Sequence, residues 1–325
     1  MTQSPRACSA PPARPLLIVA GPTASGKSAL ALAAAQRFGG TIINADAMQC
    51  YADWRIITAR PTPADEAAAP HRLYGVRRLE EAVDAAWWRG RALAELAAAE
   101  LPILCGGTGL YLSSLVNGIA PIPDPGPDAR AEARRMLAAD GPAALHAWLA
   151  ARDPATATKL RPSDPQRLAR AAEVLLGTGR GLAAWHAAPR AGLAGYRVML
   201  LLLDPPRPAL REAIAARFEA MLAAGALAEV AAVAARAPDP ALPGLRAHGV
   251  PELLAHLAGA ISLDEATSRA IAATAAYTKR QATWFRHQKL ADQRNTHTIR
   301  SRFTDSAQFS ESTVRSIISF INLSS

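Results

Sequence analysis

The sequence predicts an α/β chain: a parallel sheet with crossover helices, interrupted by an all-helical insertion. Three observations predict it. The apolar run Leu16 to Ala20 leads straight into a glycine-rich turn and then into the helix-like stretch Ala29 to Arg37. Further short apolar runs, Thr41 to Asn44 and Ile103 to Cys105, are separated by helical patterns such as Val83 to Ala99, the spacing of strand–helix–strand units. Finally, every apolar pattern from Asp128 to about Trp185 is helical, and a strand-like run, Val198 to Leu203, follows it.

In chain order, residues 1–14 are rich in Pro, Ala and Ser and read as a disordered N-terminus. Residues 15–120 form the first part of the core. The rigid stretch Pro121-Ile122-Pro123-Asp124-Pro125-Gly126-Pro127 opens an insertion over 121–195, where Asp128 is placed as an N-cap and Gly141-Pro142 starts a new helix. The core resumes over 196–290 with helices at Arg207 to Ala224, Leu227 to Ala235, Pro251 to Leu257 and Leu263 to Gln288. Residues 291–325 read as a polar tail with an amphipathic helix near Glu311 to Ile321.

Half of the 325 residues are hydrophobic, enough for a substantial core. The net charge of +9 favours a polyanionic partner. Cys8, Cys50 and Cys105 lack disulfide or metal-ligand spacing and read as reduced thiols of a cytoplasmic protein. No apolar run is long enough to span a bilayer, so no membrane association is expected. Monomer is the expected state.

The turn after the first strand is Gly21-Pro22-Thr23-Ala24-Ser25-Gly26-Lys27-Ser28, a G-x-x-x-x-G-K-[ST] phosphate-binding loop in its proper context. Its backbone amides, Lys27 and the following helix N-terminus converge on one phosphate chain, and Ser28 is placed to hold Mg²⁺. The fold is thus a P-loop NTPase core of the nucleotide-kinase kind. The loop by itself implies a di- or triphosphate without saying which group is transferred. Asp46 follows the second strand and lies in the crevice at the strands' carboxyl ends, as general base, Mg²⁺ partner or merely a cap. After the third strand, Gly106 and Gly107 let the backbone approach a ligand and Thr108 offers a hydroxyl.

Together these stretches resemble the tRNA dimethylallyltransferase (tRNA isopentenyltransferase) family. The matching residues are GPTASGKS at 21–28, NADAMQCY at 44–51, TARP at 58–61, PHRL at 70–73, GGTGLY at 106–111, DPQRLARAAEV at 164–174 and KRQATWFRHQ at 279–288. The resemblance implies transfer of a dimethylallyl group from dimethylallyl diphosphate to N6 of the adenosine 3′ of the anticodon, in tRNAs reading codons that begin with U. It implies Asp46, Thr108 and Lys27 as catalytic residues and residues 21–28 as the diphosphate cradle. It places Asp46, Ala47, Met48, Gln49, Thr108, Arg130, Gln166, Arg167, Leu168, Ala169, Arg170, Arg246, Ala247, His248, Gly249, Lys279, Arg280, Gln281, Trp284 and Arg286 against the anticodon stem-loop. Basic residues interleaved with aromatics from Tyr277 to Arg302 suit that partner independently.

The sequence departs from the family pattern at Ala47, commonly Ser, at Ala275, commonly Arg, and at Gly249-Val250-Pro251, commonly Gly-Tyr-Arg or Gly-Tyr-Lys. Two other readings compete: a small-molecule or nucleoside kinase with ATP on the loop, and an RNA-binding module with a relic P-loop.

Overall fold

The computed structural model describes residues 13–304 and 311–322, so Cys8 and most of the expected disordered N-terminus lie outside the described residues. In order the elements are β1 (Arg14–Ala20), α1 (Lys27–Phe38), β2 (Thr41–Asn44), α2 (Pro63–Ala68), β3 (His71–Arg72), α3 (Ala85–Ala98), β4 (Pro102–Gly106) and α4 (Gly109–Val116). The insertion adds α5 (Pro127–Arg152), α6 (Pro154–Ala157), α7 (Pro165–Thr178) and α8 (Leu182–His186). The core then resumes with β5 (Tyr196–Leu203), α9 (Arg207–Ala223), α10 (Ala226–Ala234), α11 (Val250–Leu257), α12 (Leu263–His287), β6 (Thr296–Ile299) and α13 (Glu311–Asn322).

One six-stranded sheet runs in the order β3-β2-β4-β1-β5-β6, with every pairing parallel. The central strand β1 reads as a continuous apolar run because helices cover both faces of a parallel sheet. Leu16 to Ala20 are fully buried. The loops after β1, β2 and β4 therefore emerge side by side at the carboxyl edge, where ligands bind in such sheets. Arg14, expected in the disordered N-terminus, instead starts β1: it pairs with Tyr196, and its guanidinium donates to the Ala97 carbonyl and the Tyr196 hydroxyl.

Two strands escape the sequence patterns. β3 is only two residues long. β6 reads Thr-His-Thr-Ile, a polar edge strand with one neighbour and partly exposed side chains. The tail beyond residue 290 is thus not only polar coil. Phe303, Ile317 and Phe320 bury themselves with Leu17, Val19, Leu201 and Leu203.

Residues Asn117–Gly192 form a separate compact unit. Its core joins Ala133, Leu145, Leu149, Ala157, Leu168, Ala171 and Ala172. The cap of α5 is Gly126, with Pro127 at the first helical position, so Asp128 is a first-turn residue and not the cap. The helix breaks at Gly141, whose φ of 76° no helix accommodates, just where Gly141-Pro142 is expected to open a new run. Asp164 caps α7 by accepting the Arg167 N–H.

Candidate active site

The glycine-rich turn folds as a cradle ahead of α1. Ala24 and Gly26 are both left-handed, with φ of 64° and 92°. Lys27 is partly buried and its Nζ folds back to within 3.4 Å of the Pro22 carbonyl, so its ammonium lies over the loop. The Ser25 hydroxyl is fully buried and has no hydrogen-bond partner among the described residues. An orphaned donor inside a ring of amides is the feature an oxyanion would satisfy. Ser28 and Cys105, near the end of β4, border a cavity of about 260 Å³ that also touches Tyr74, Arg60 and Leu32.

The loop after β2 brings Asp46 to this cradle. Its backbone N–H donates to Asn44 Oδ1 at 2.8 Å, and its own Oδ1 accepts the Met48 N–H at 3.1 Å. This is an i to i+2 loop bond and not a helix cap, since the turn at Met48–Cys50 starts from Ala47 with no side-chain cap bond; Oδ2 has no hydrogen-bond partner among the described residues. Burial lowers the pKa of Lys27, of Arg217 and of His248, and the charge of Asp46 opposes that lowering in all three. Asp46 is thus the shared counter-charge of a cationic pocket.

Thr108 ties the two loops together. Its Oγ1 accepts the Ala47 N–H at 3.0 Å, while its own N–H donates to the Ala45 carbonyl at 3.2 Å. The Ala47 backbone is held whatever its side chain, so the missing serine hydroxyl leaves this link intact. Gln49 spends its amide donors on the Thr58 and Ala59 carbonyls, fixing the 58–61 turn rather than facing outward.

From α12, Gln281 reaches into the same place. It is buried; its Oε1 accepts from the Thr23 N–H at 2.9 Å and the Thr23 hydroxyl at 3.3 Å, and its Nε2 donates to the Gly107 carbonyl at 3.0 Å. Gln281 is thereby a strut between the two loops, with its oxygen and one amide N–H committed within the protein. Trp284 lies over Gly109, where a Cβ would come within 2.3 Å of the indole. Lys279, Arg280 and Arg286 are exposed on the same helix, and Trp284 is half-buried against buried Phe285. His248 packs 4.6 Å from the Tyr277 ring, and the Arg280 guanidinium stands 5.3 Å over that ring.

Arg246 is exposed, whereas Ala247 and Gly249 are buried. Within the insertion, Gln166, Arg167 and Arg170 are exposed on α7, whereas Leu168 is fully buried in that unit's core and is corrected from contact to scaffold. Arg167 pairs with Asp164 at 3.4 Å, Arg170 with Glu173 at 3.2 Å, and Arg130 with Asp124. Such exposed pairs are weak and exchange readily for phosphate.

Sequence reasoning missed Arg217. It lies on α9 among buried Ala213, Ile214, Phe218 and Met221, and its Nη2 donates to the Thr58 carbonyl at 3.3 Å. An arginine placed on an apolar stripe at helical spacing is the signal that points to it. Ala275, one of the departures from the family pattern expected from the sequence, packs with Ala24, Ala213 and Ile214 and adds no charge.

Comparison with known proteins shows which chains this one is similar to. The family model described as IPP transferase matches residues 49–288. A tRNA dimethylallyltransferase of Acidiphilium cryptum (strain JF-5) is 98% identical over 325 residues, covering 100% of both chains. Among solved structures, the full-length tRNA isopentenylpyrophosphate transferase of Bacillus halodurans superposes with a TM-score of 0.66 at 26% identity, covering 96% of this chain and 97% of that one. A eukaryotic dimethylallyltransferase acting on tRNA shares the fold, with a TM-score of 0.76 at 23% identity over 94% of this chain and 78% of that one.

Proposed function

The chain belongs to the IPP transferase family, and from that premise we propose that it moves the dimethylallyl group of dimethylallyl diphosphate onto N6 of the adenosine 3′ of the anticodon, in tRNAs reading codons that begin with U. The observation that carries this reading is the convergence of Asp46 on the Lys27 cradle, with the loop of Thr108 bonded to it.

In the reaction the allylic C–O bond breaks and a C–N bond forms, the diphosphate leaves, and N6 gives up a proton. The loop amides, the Ser25 hydroxyl, Lys27 and Arg217 stabilise the charge that accumulates on the leaving group. Asp46 Oδ2 accepts the N6 proton, because Oδ1 is held by Met48. Thr108 keeps the Asp46 loop in register with the strand end that faces it. An exocyclic amine conjugated to a purine is a poor nucleophile, so this placement contributes as much as proton removal.

The Ser28 hydroxyl at the cradle fits a hard cation such as Mg²⁺ that would take most of its remaining ligands from phosphate and water. When bound, it adds charge neutralisation on the departing diphosphate.

The target base must leave its stack to reach the cradle. His248 and Tyr277 supply ring surfaces near Asp46 and Trp284 one over Gly109, while Lys279, Arg280, Arg286 and Arg246 meet phosphates; Arg130, Arg167 and Arg170 do so from the insertion. With tRNA as its substrate the enzyme works in the cytoplasm.

The test is to incubate the protein with Mg²⁺, an unmodified anticodon stem-loop carrying three consecutive adenosines, and labelled dimethylallyl diphosphate or labelled ATP. Allyl label and the matching mass increase in the RNA are expected, and Asp46→Asn abolishes both. Label transferred from ATP while the allyl donor stays inert would establish the kinase reading instead.

A further inference from the structure

A phosphate-binding loop works by turning successive N–H groups inward, and its carbonyls then point outward and need donors of their own. Here the donors come from the tail. The Nε of Arg302 donates to the Ala24 carbonyl at 3.0 Å, and the Phe303 N–H donates to the Ser25 carbonyl at 3.0 Å. The contact is close: a Cβ on Gly26 would lie 1.8 Å from the Phe303 carbonyl oxygen.

The segment is anchored so that it can hold the loop. It leaves the sheet directly after β6, where the Asp204 N–H donates to the Ile299 carbonyl. Phe303 is 4% exposed and packs into the core with Leu17, Val19, Leu203 and Ile317. The residue it holds is the strained one. Ala24 sits at φ 64°, a left-handed conformation that a residue with a Cβ adopts only when its surroundings impose it. Its methyl is fixed against Ala213 and Ile214, and its carbonyl is fixed by Arg302.

We propose that Arg302 and Phe303 form a strap that keeps the phosphate-binding loop in its anion-accepting conformation, with Arg302 a positioning residue for the diphosphate of the donor. The inference rests on the reading of the loop as a diphosphate site. It assigns a role to residues beyond the 49–288 stretch that the family model matches. The strap acts through the loop carbonyls and touches no reacting atom.

The experiment measures the affinity of the full-length protein for inorganic diphosphate by calorimetry, alongside KM for the allyl donor, kcat, stem-loop affinity and thermal midpoint. Arg302→Met keeps the aliphatic stem and removes only the donors. It is expected to weaken diphosphate binding and raise the donor KM about tenfold, with kcat, stem-loop affinity and thermal midpoint nearly unchanged. Arg302→Lys recovers most of the affinity. In an Ala24→Gly background, where the left-handed conformation carries no penalty, the Arg302→Met effect shrinks to about threefold or less. Unchanged diphosphate affinity, an equal effect in both backgrounds, or a parallel fall of affinity and thermal midpoint overturns the strap. Failure of the unmodified protein to bind diphosphate and to prenylate the stem-loop overturns the functional reading beneath it, whereas loss confined to the Arg302 variants leaves that reading standing.

Discussion

The Thr108 hydroxyl accepts the Ala47 N–H at 3.0 Å, joining the loop after β4 to the loop that carries Asp46. The two loops belong to neighbouring strands, so one side chain sets the spacing between the candidate base and the far wall of the site. Thr108→Val keeps the shape and removes the acceptor. It is expected to cost about 1 kcal/mol of stability by denaturant titration, and to lower kcat more than it raises the donor KM. Thr108→Ser should restore most of the activity. Equal activity in the Val and Ser variants would deny the bond a role.

Gln281 is expected to behave as a strut of the diphosphate cradle. Gln281→Leu leaves the Thr23 N–H without its acceptor and should lower kcat/KM for the allyl donor by about tenfold or more, with stem-loop affinity within about threefold. Gln281→Glu keeps the acceptor, loses the donor to Gly107, and falls between the two. A fall in RNA affinity with donor kinetics intact would assign Gln281 to the RNA-contact set.

Burial lowers the Lys27 pKa, and a bound diphosphate opposes that lowering. The bound form therefore holds its proton to higher pH than the unbound form. Diphosphate binding should take up protons as pH rises toward the ordinary lysine range, and affinity should weaken over the same interval. Calorimetry in two buffers of different ionisation enthalpy measures the uptake. Lys27→Arg, charged throughout, removes the lysine contribution while the diphosphate's own titration stays in both proteins. Identical uptake in the two would refute the assignment.

For the insertion, replacing Arg167 and Arg170 by Ala should weaken stem-loop binding and reduce the slope of log affinity against log salt by roughly one to two, about 0.7–0.9 per lost phosphate contact. Their partners Asp164 and Glu173 are partly exposed, so stability should change little. An unchanged slope would remove α7 from the interface.

The cradle was legible in the sequence because its chemistry is local: Gly21 to Ser28 are contiguous, and the strand and helix on either side come with them. Asp46 and Thr108 were legible because each closes a strand whose neighbours the pattern of strands and helices implies. Arg217 and the strut role of Gln281 were not, since each depends on how α9 and α12 cross the sheet's carboxyl edge, which no spacing along the chain records. Leu168 shows the converse. A motif that spans one helical turn necessarily includes a residue on the inner face, and the family pattern does not separate it from its exposed neighbours. β6 was hidden by composition, because an edge strand satisfies one side of its backbone with solvent and tolerates Thr-His-Thr where a central strand needs apolar residues.

The same two strands that the patterns overlooked close the flanks of the sheet. An all-parallel array ends in rows of unmatched amides and carbonyls that could template assembly of further copies into fibrous stacks. Here one flank is a mere dipeptide, His71–Arg72, carrying a cation, and the other is a hydroxyl- and imidazole-bearing tetrapeptide. Neither offers a long greasy ribbon, so the enzyme carries its own protection against edge-on polymerisation.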